Sequence, residues 1–236
     1  MSDIWTMMWK ESKDVLFQGG WRSLIRPLFV IGIMGIYLPL QFGSQWVDLT
    51  PIGMVLLLWI PFFVVISFIG DAIAGERERH TLETLLASRM PDRAILLGKV
   101  GATVLYAWGM GVLSLLLGLV LVDLLRTQGN WMFYPLDLFV DAIVLSLLVS
   151  VLAASAGVLV SLRVATVRQA QQILSIGTIV FVFGVTFVLR AVPANVFSSL
   201  TYAQFLLIAM AFLAVLDAIL LGLSLVSFQR SRLILS

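Results

Sequence analysis

Six stretches of this sequence each run for sixteen to twenty-four residues with at most one Asp, Glu, Lys, Arg or His. They are Pro27–Phe42, Ile52–Gly70, Val100–Val122, Phe139–Leu162, Ile173–Leu189 and Phe205–Phe228. A helix of about 20 apolar residues crosses the ~30 Å hydrocarbon core of a bilayer. In that core every backbone polar group needs an internal partner, so only helices and closed barrels span it. Barrel strands alternate apolar and polar residues in short segments. These runs are apolar on all sides and read as helices. Only 12% of the 236 residues are charged and the mean hydropathy is +1.06. A globule in water carries about 25% charged residues. The expected fold class is therefore all-α: a polytopic membrane protein with six transmembrane helices, residues 1–236 forming one transmembrane domain.

Lys and Arg orient the chain. Lys10, Lys13, Arg22 and Arg26 precede the first run, and Arg77, Arg79, Arg89, Arg93 and Lys99 lie between the second and third. Arg163 and Arg168 follow the fourth, and Arg230 and Arg232 follow the sixth. Thirteen of the fifteen basic residues thus share one side, leaving Arg126 and Arg190 on the other. Basic loops stay in the cytosol. The expectation is a multi-pass protein of the cell (inner) membrane with both termini cytosolic.

The outer connections are short, and Trp46, Trp131, Phe133 and Tyr134 lie in them. Such rings favour the membrane–water interface. Residues 1–22 read as a cytosolic interfacial helix, with Trp5, Met8, Trp9 and Leu16 on one face and Lys10, Lys13 and Asp14 elsewhere. Gly19 and Gly20 offer a break before the first span. The early charges and lack of a compact apolar core do not match a cleaved signal peptide.

Several chemistries lack their residues. Without cysteine, thiolate metal sites and thiol catalysis are excluded, and His80 is the single histidine. The net charge of +2 reflects topology rather than nucleic-acid binding. A phosphate-binding loop reads G-x-x-x-x-G-K-[ST]. At the only Gly-Lys pair, Gly98-Lys99, Arg93 replaces the first Gly and Val100 the Ser or Thr. No H-E-x-x-H or G-x-S-x-G occurs. The chain is expected not to be an enzyme.

The polar segment 71–99, DAIAGERERHTLETLLASRMPDRAILLGK, is the longest between two runs. Glu76, Arg77, Glu78 and Arg79 precede an apolar stripe of Leu82, Leu85 and Leu86. Pro91 is placed to begin a second short helix. This string resembles the signature of the type-two ABC exporter permeases, E-R-E-R-G-T-L-E-x-L-L-A-S-P-V-S, ending in I-L-L-G-K. The six-run layout, the amphipathic start and the loop VRQAQQ are also similar to that family. The resemblance implies the membrane-spanning permease subunit of an ATP-driven exporter working by alternating access. It further implies two ATP-binding-cassette ATPase subunits as partners, a second permease subunit in a homodimer or heterodimer, and surrounding lipid. ATP and magnesium would be bound by the ATPase, with no cofactor in this chain. In the family the first cytosolic loop couples to the ATPase. Carried over here, Glu76, Glu78, Arg79, Thr81, Leu82 and Glu83 match that motif, and Gly98 and Lys99 match its end. His80 stands where Gly is usual, removing backbone freedom at a turn. Arg89 and Pro91 stand where Pro and Ser are usual.

Asp217 is the one acid deep inside a run, with about twelve residues on either side. Ionisable groups at that depth are costly and are functional candidates. Asp217 is a candidate for the transport path, for a protonated hydrogen-bonding group between helices, or for a subunit interface. Ala153, Gly157 and Ser161, and likewise Ala214, Ala218 and Gly222, form small-residue series suited to close helix packing. The alternative to an ATP-driven permease is an ion-coupled secondary transporter or channel without an ATPase, with Asp217 as its coupling site.

Overall fold

A computed structural model of the chain describes residues 2–17, 25–47, 51–81, 90–126, 133–191 and 202–228. Among these residues every regular element is helical. In chain order they are α1 (Ser2–Phe17), α2 (Ile25–Val30), α3 (Leu38–Phe42), α4 (Ser44–Val47), α5 (Pro51–Gly70), α6 (Glu76–Glu78), α7 (Asp92–Arg126), α8 (Leu136–Ser161), α9 (Val167–Ala191) and α10 (Tyr202–Ser227). Within the described residues α7, α8 and α10 are long and apolar enough to cross a membrane, and Leu28–Phe42 is a shorter apolar helix. The chain is a multi-pass membrane protein.

Two helices carry a π-helical stretch. Ile31–Tyr37 joins α2 to α3, and Asp71–Gly75 joins α5 to α6, with helical backbone angles at both joins. The first lies just before Pro39. A proline ring clashes with the carbonyl four residues back; here that residue is Gly35, inside the widened turn. The second has a different cause, a side chain from α8 described below.

α5 packs on α8 and on α7, and α10 packs on α8. The core is built from Val65, Ile69 and Ile73 of one helical stretch, Ile95, Leu96 and Val100 of α7, Ala153, Ala154 and Val158 of α8, and Met7 of α1. The small series in α8 acts as the sequence suggests. Ala153, Gly157 and Ser161 are buried, and a Cβ on Gly157 would overlap Ile69. Among the described residues the series in α10 is unpacked: Ala214 and Ala218 are exposed, and none of these residues lies within 4 Å of a Cβ built on Gly222.

Three sequence expectations change. First, Pro91 does not start a second short helix. It precedes α7, a single helix of 35 residues, which at 1.5 Å per residue is about 52 Å long. That exceeds the ~30 Å apolar core, so one continuous helix carries both the apolar run Val100–Val122 and the Asp92–Lys99 end before it. Second, Trp46 is 1% exposed rather than sitting in an open interfacial belt. Its indole fills the space left by Gly118, where a Cβ would stand 2.5 Å from Nε1. Phe133 does stay exposed, whereas Trp131 lies outside the described residues. Third, the expected face of α1 is divided: Met8, expected beside Trp5 and Trp9, lies with Met7 and Glu11 against the protein. Trp5 and Trp9 point away and are exposed, with the Lys13 ammonium 5.0 Å from the Trp9 ring. Gly19, Gly20 and the stripe Leu82, Leu85 and Leu86 lie outside the described residues.

Candidate functional site

The charged quartet Glu76–Arg79 sits where α5 and its π-helical extension end. Each of its first three charges meets a different element. Glu76 is largely buried and its Oε1 accepts from Lys99 Nζ at 2.7 Å. The same ammonium donates to Glu11 Oε1 of α1, also at 2.7 Å. Lys99 is 2% exposed. Gly98 beside it lets α1 close on α7, since a Cβ there would lie 2.6 Å from Met7 Cβ.

The next two charges read the two helix ends that flank the turn 162–166. The Arg77 guanidinium donates to the carbonyls of Val164 (3.0 Å) and Leu162 (3.4 Å), just past the C-terminus of α8. Glu78 Oε2 accepts from the backbone N–H of Val167 (3.3 Å), the first residue of α9. The last carbonyls and first amides of a helix have no partner within it. A cation suits the negative C-terminal end and an acid suits the positive N-terminal end. Two adjacent residues of opposite charge therefore fit a turn between two helices. Arg79 is exposed.

A hydroxyl completes the junction. Ser161 Oγ accepts from Ala74 N–H (2.9 Å) and donates to the Gly70 carbonyl (3.3 Å). In an α-helix Ala74 would bond Gly70 directly. The serine is inserted into that rung, which is one established cause of a helix distortion. The π-helical Asp71–Gly75 turn is thus fixed to α8 by a side chain from outside.

The helix then stops at His80, which has φ +56°. His80 N–H donates to Arg77 O (3.1 Å) and Thr81 N–H to Glu76 O (2.9 Å). These are the paired bonds of a Schellman ending, whose left-handed residue is usually Gly. The histidine keeps the backbone shape that Gly would supply more easily. Glu78, Arg79, His80 and Thr81 are all exposed around this ending. Leu82 and Glu83 lie outside the described residues.

The model of the ABC-2 family transporter proteins matches residues 27–236. This chain belongs to that family. Its members are membrane subunits of ABC transporters that work with separate ATPase subunits and are not themselves catalytic. No curated protein matches the sequence.

The matched region holds every residue of the cluster except Glu11. The structure brings Glu76 and Glu78 together with Glu11, which the sequence reading left out, and with Arg77, Lys99 and Ser161, which it did not name as site residues. Lys99 was visible only as the end of a motif. Its partners lie 88 and 23 residues away, so no local spacing points to them.

Asp217 stands apart from this cluster, on α10. Among the described residues of that helix, Leu206, Asp217 and Ser224 are buried. Their spacing puts them on one narrow face. Ser224 Oγ lies 3.2 Å from the Ser155 carbonyl of α8, so this face looks toward α8. Asp217 is 5% exposed and both carboxylate oxygens lack a hydrogen-bond partner among the described residues. The described residues hold no group of acids, His or Cys arranged for a metal.

Proposed function

We propose that this chain is the membrane-spanning half of an ATP-driven exporter, with six spans in one domain and both termini in the cytosol. ATP binding closes the partner ATPases, which push on the segment after α5, and the helices rock between inward-open and outward-open states. The ATPases bind ATP and magnesium. A second permease subunit completes the translocation path.

The observation that carries this reading is the exposed Schellman ending at His80, held from behind. Glu78, Arg79, His80 and Thr81 are exposed there and give this surface mixed charge and polarity, suited to charge-assisted hydrogen bonds with a facing protein. Behind them, Glu76 fastens the segment to α7, Arg77 fastens it to the turn after α8, and Ser161 ties it to α8 itself. An element that transmits force needs both properties. Family membership supports the same reading, as does the crowding of basic residues on this side. α1 fits an interfacial helix: Met7 and Glu11 face α7, and Trp5 and Trp9 face outward where headgroups would lie. Asp217 is the candidate for the transport path, a buried acid without a hydrogen-bond partner among the described residues.

Purification from native membranes tests the proposal. The chain should bring down a P-loop ATPase, and the complex should hydrolyse ATP. A chain that purifies without any ATPase and still moves substrate along an ion gradient belongs instead to the secondary-transporter reading.

A further inference from the structure

The cluster at Lys99 has an unusual charge balance: one ammonium serves two carboxylates. Lys99 Nζ is 2.7 Å from Glu11 Oε1 and 2.7 Å from Glu76 Oε1, so the two acids lie no more than twice that distance apart. The three residues belong to three separate elements, α1, α6 and α7. The side chains are nearly closed to solvent, at 2% for Lys99, 12% for Glu11 and 16% for Glu76. At such burial the surroundings screen charge much less than water does.

We infer that Lys99 is a positioning residue that pins α1 to the segment after α5, so that both move as one body when the ATPases close. The inference rests on the coupling role proposed above. It adds that α1 is driven by the stroke rather than resting passively on the membrane surface. Two further contacts favour a single body. Met7 seats on Gly98, one residue from the lysine, and Met8 lies against Gly101 one turn on. The Trp5 and Trp9 face is thereby linked to Glu76 through one side chain, and movement at His80 reaches the lipid interface directly.

The charge balance makes the pin distinguishable from ordinary packing. Removing Lys99 leaves two carboxylates facing one another, which repel. Removing Glu11 leaves a neutral Lys99–Glu76 pair. Lys99→Met should therefore do more harm than Glu11→Gln, and adding Glu11→Gln to Lys99→Met should restore part of what was lost. A residue that merely fills space gives losses that accumulate instead.

The test uses two spin labels in the full chain with its co-purified ATPase in lipid nanodiscs. Because the chain has no cysteine, Lys10→Cys and Thr81→Cys supply the only thiols on the permease. Both sites are exposed. Thiols of the ATPase are first replaced. The label-to-label distance is measured without nucleotide and after trapping with ATP and vanadate. The inference predicts one narrow distance that is the same in both states. It predicts loss of the narrow peak in Lys99→Met and its partial return in Glu11→Gln/Lys99→Met. A distance that changes on trapping, or a Lys99→Met peak as narrow as the parent's, overturns it. Should Lys99→Met fail to fold, the comparison moves to Glu76→Gln, which must broaden the peak for the inference to stand. The spin-label comparison of variants can be made on the permease alone. If no ATPase co-purifies, the coupling role fails on that ground while the pin is still tested by its own readout.

Discussion

Lys99 and Asp217 are both ionisable side chains taken almost wholly out of solvent, and their surroundings are opposite. Lys99 has two acids at 2.7 Å, drawn from two other elements. Asp217 has no hydrogen-bond partner among the described residues. A buried charge is tolerated when it is paired and hydrogen-bonded, and an unpaired one is costly. The Lys99 region therefore reads as machinery whose parts must hold one geometry. The Asp217 region reads as a site whose partner lies outside the subunit or arrives during transport. The contrast extends to the helices around them. Near Lys99, one π-helical turn, a helix ending and a turn are cross-tied by side chains. Around Asp217, α10 leaves Phe212, Val215 and Ile219 exposed.

The largest effect that would test this contrast is at Lys99. Lys99→Met strands two carboxylates in a nearly closed site, and breaking a buried pair by removing one partner costs about 3–5 kcal/mol. The thermal midpoint of the purified chain should fall sharply, and the midpoint of Glu11→Gln much less. Equal falls would mean that the ammonium is not the shared element. The next effect is at Arg77. Replacement by Met frees the carbonyls of Leu162 and Val164, and hydrogen bonds to charged groups contribute about 1.5–3 kcal/mol. Because the guanidinium is partly exposed, the lower end of that range is expected, together with faster amide exchange across 162–167. Unchanged exchange there would detach the quartet from the α8–α9 turn.

A smaller effect, of opposite sign, is expected at His80. A left-handed conformation costs an L-residue roughly 1–2 kcal/mol that glycine avoids. Part of that gain is offset by the greater chain entropy of glycine. His80→Gly should raise the midpoint slightly and His80→Val, being β-branched, should lower it. A fall on changing to Gly would show that the imidazole makes a contact of its own. The smallest stability effect belongs to Asp217. Asp217→Asn removes an ionisable group that has no hydrogen-bond partner among the described residues, so the midpoint should stay within about 0.5 kcal/mol of the parent or rise. The substrate-stimulated ATPase of the complex should fall all the same. An Asn variant with full transport and ATPase activity removes Asp217 from the mechanism.

What could be read from the sequence follows from how local the physics is. The apolar runs that became α7, α8 and α10 were legible because lipid imposes length and composition on contiguous residues. Gly157 was legible as a packing residue for the same reason. His80 was legible as an anomaly, since a glycine position holding a histidine marks a turn. The partners of Lys99, by contrast, come from Glu11 and Glu76, and only the folded chain puts them together. Ser161 was legible as small. Its hydroxyl matters because of a π-helical turn in another helix, and no pattern within 71–75 announces that turn. Trp46 was misplaced because a tryptophan near a membrane boundary suits the interface by composition. The decisive fact was Gly118, more than seventy residues later, which leaves a slot of the right size.

The most direct test of the account asks what touches the exposed helix ending at His80. With no native cysteine in the chain, a single Thr81→Cys variant can carry a photoactivatable maleimide in intact membranes. A control Phe133→Cys variant places the same probe at an exposed residue between α7 and α8, on the expected outer side. On illumination the Thr81 probe should cross-link to a P-loop ATPase, with a yield that changes when ATP and vanadate are added, and the Phe133 probe should not. Cross-links from Thr81 only to lipid, or equal ATPase yields from both positions, would contradict the claim that this segment is where ATP-driven force enters the membrane domain.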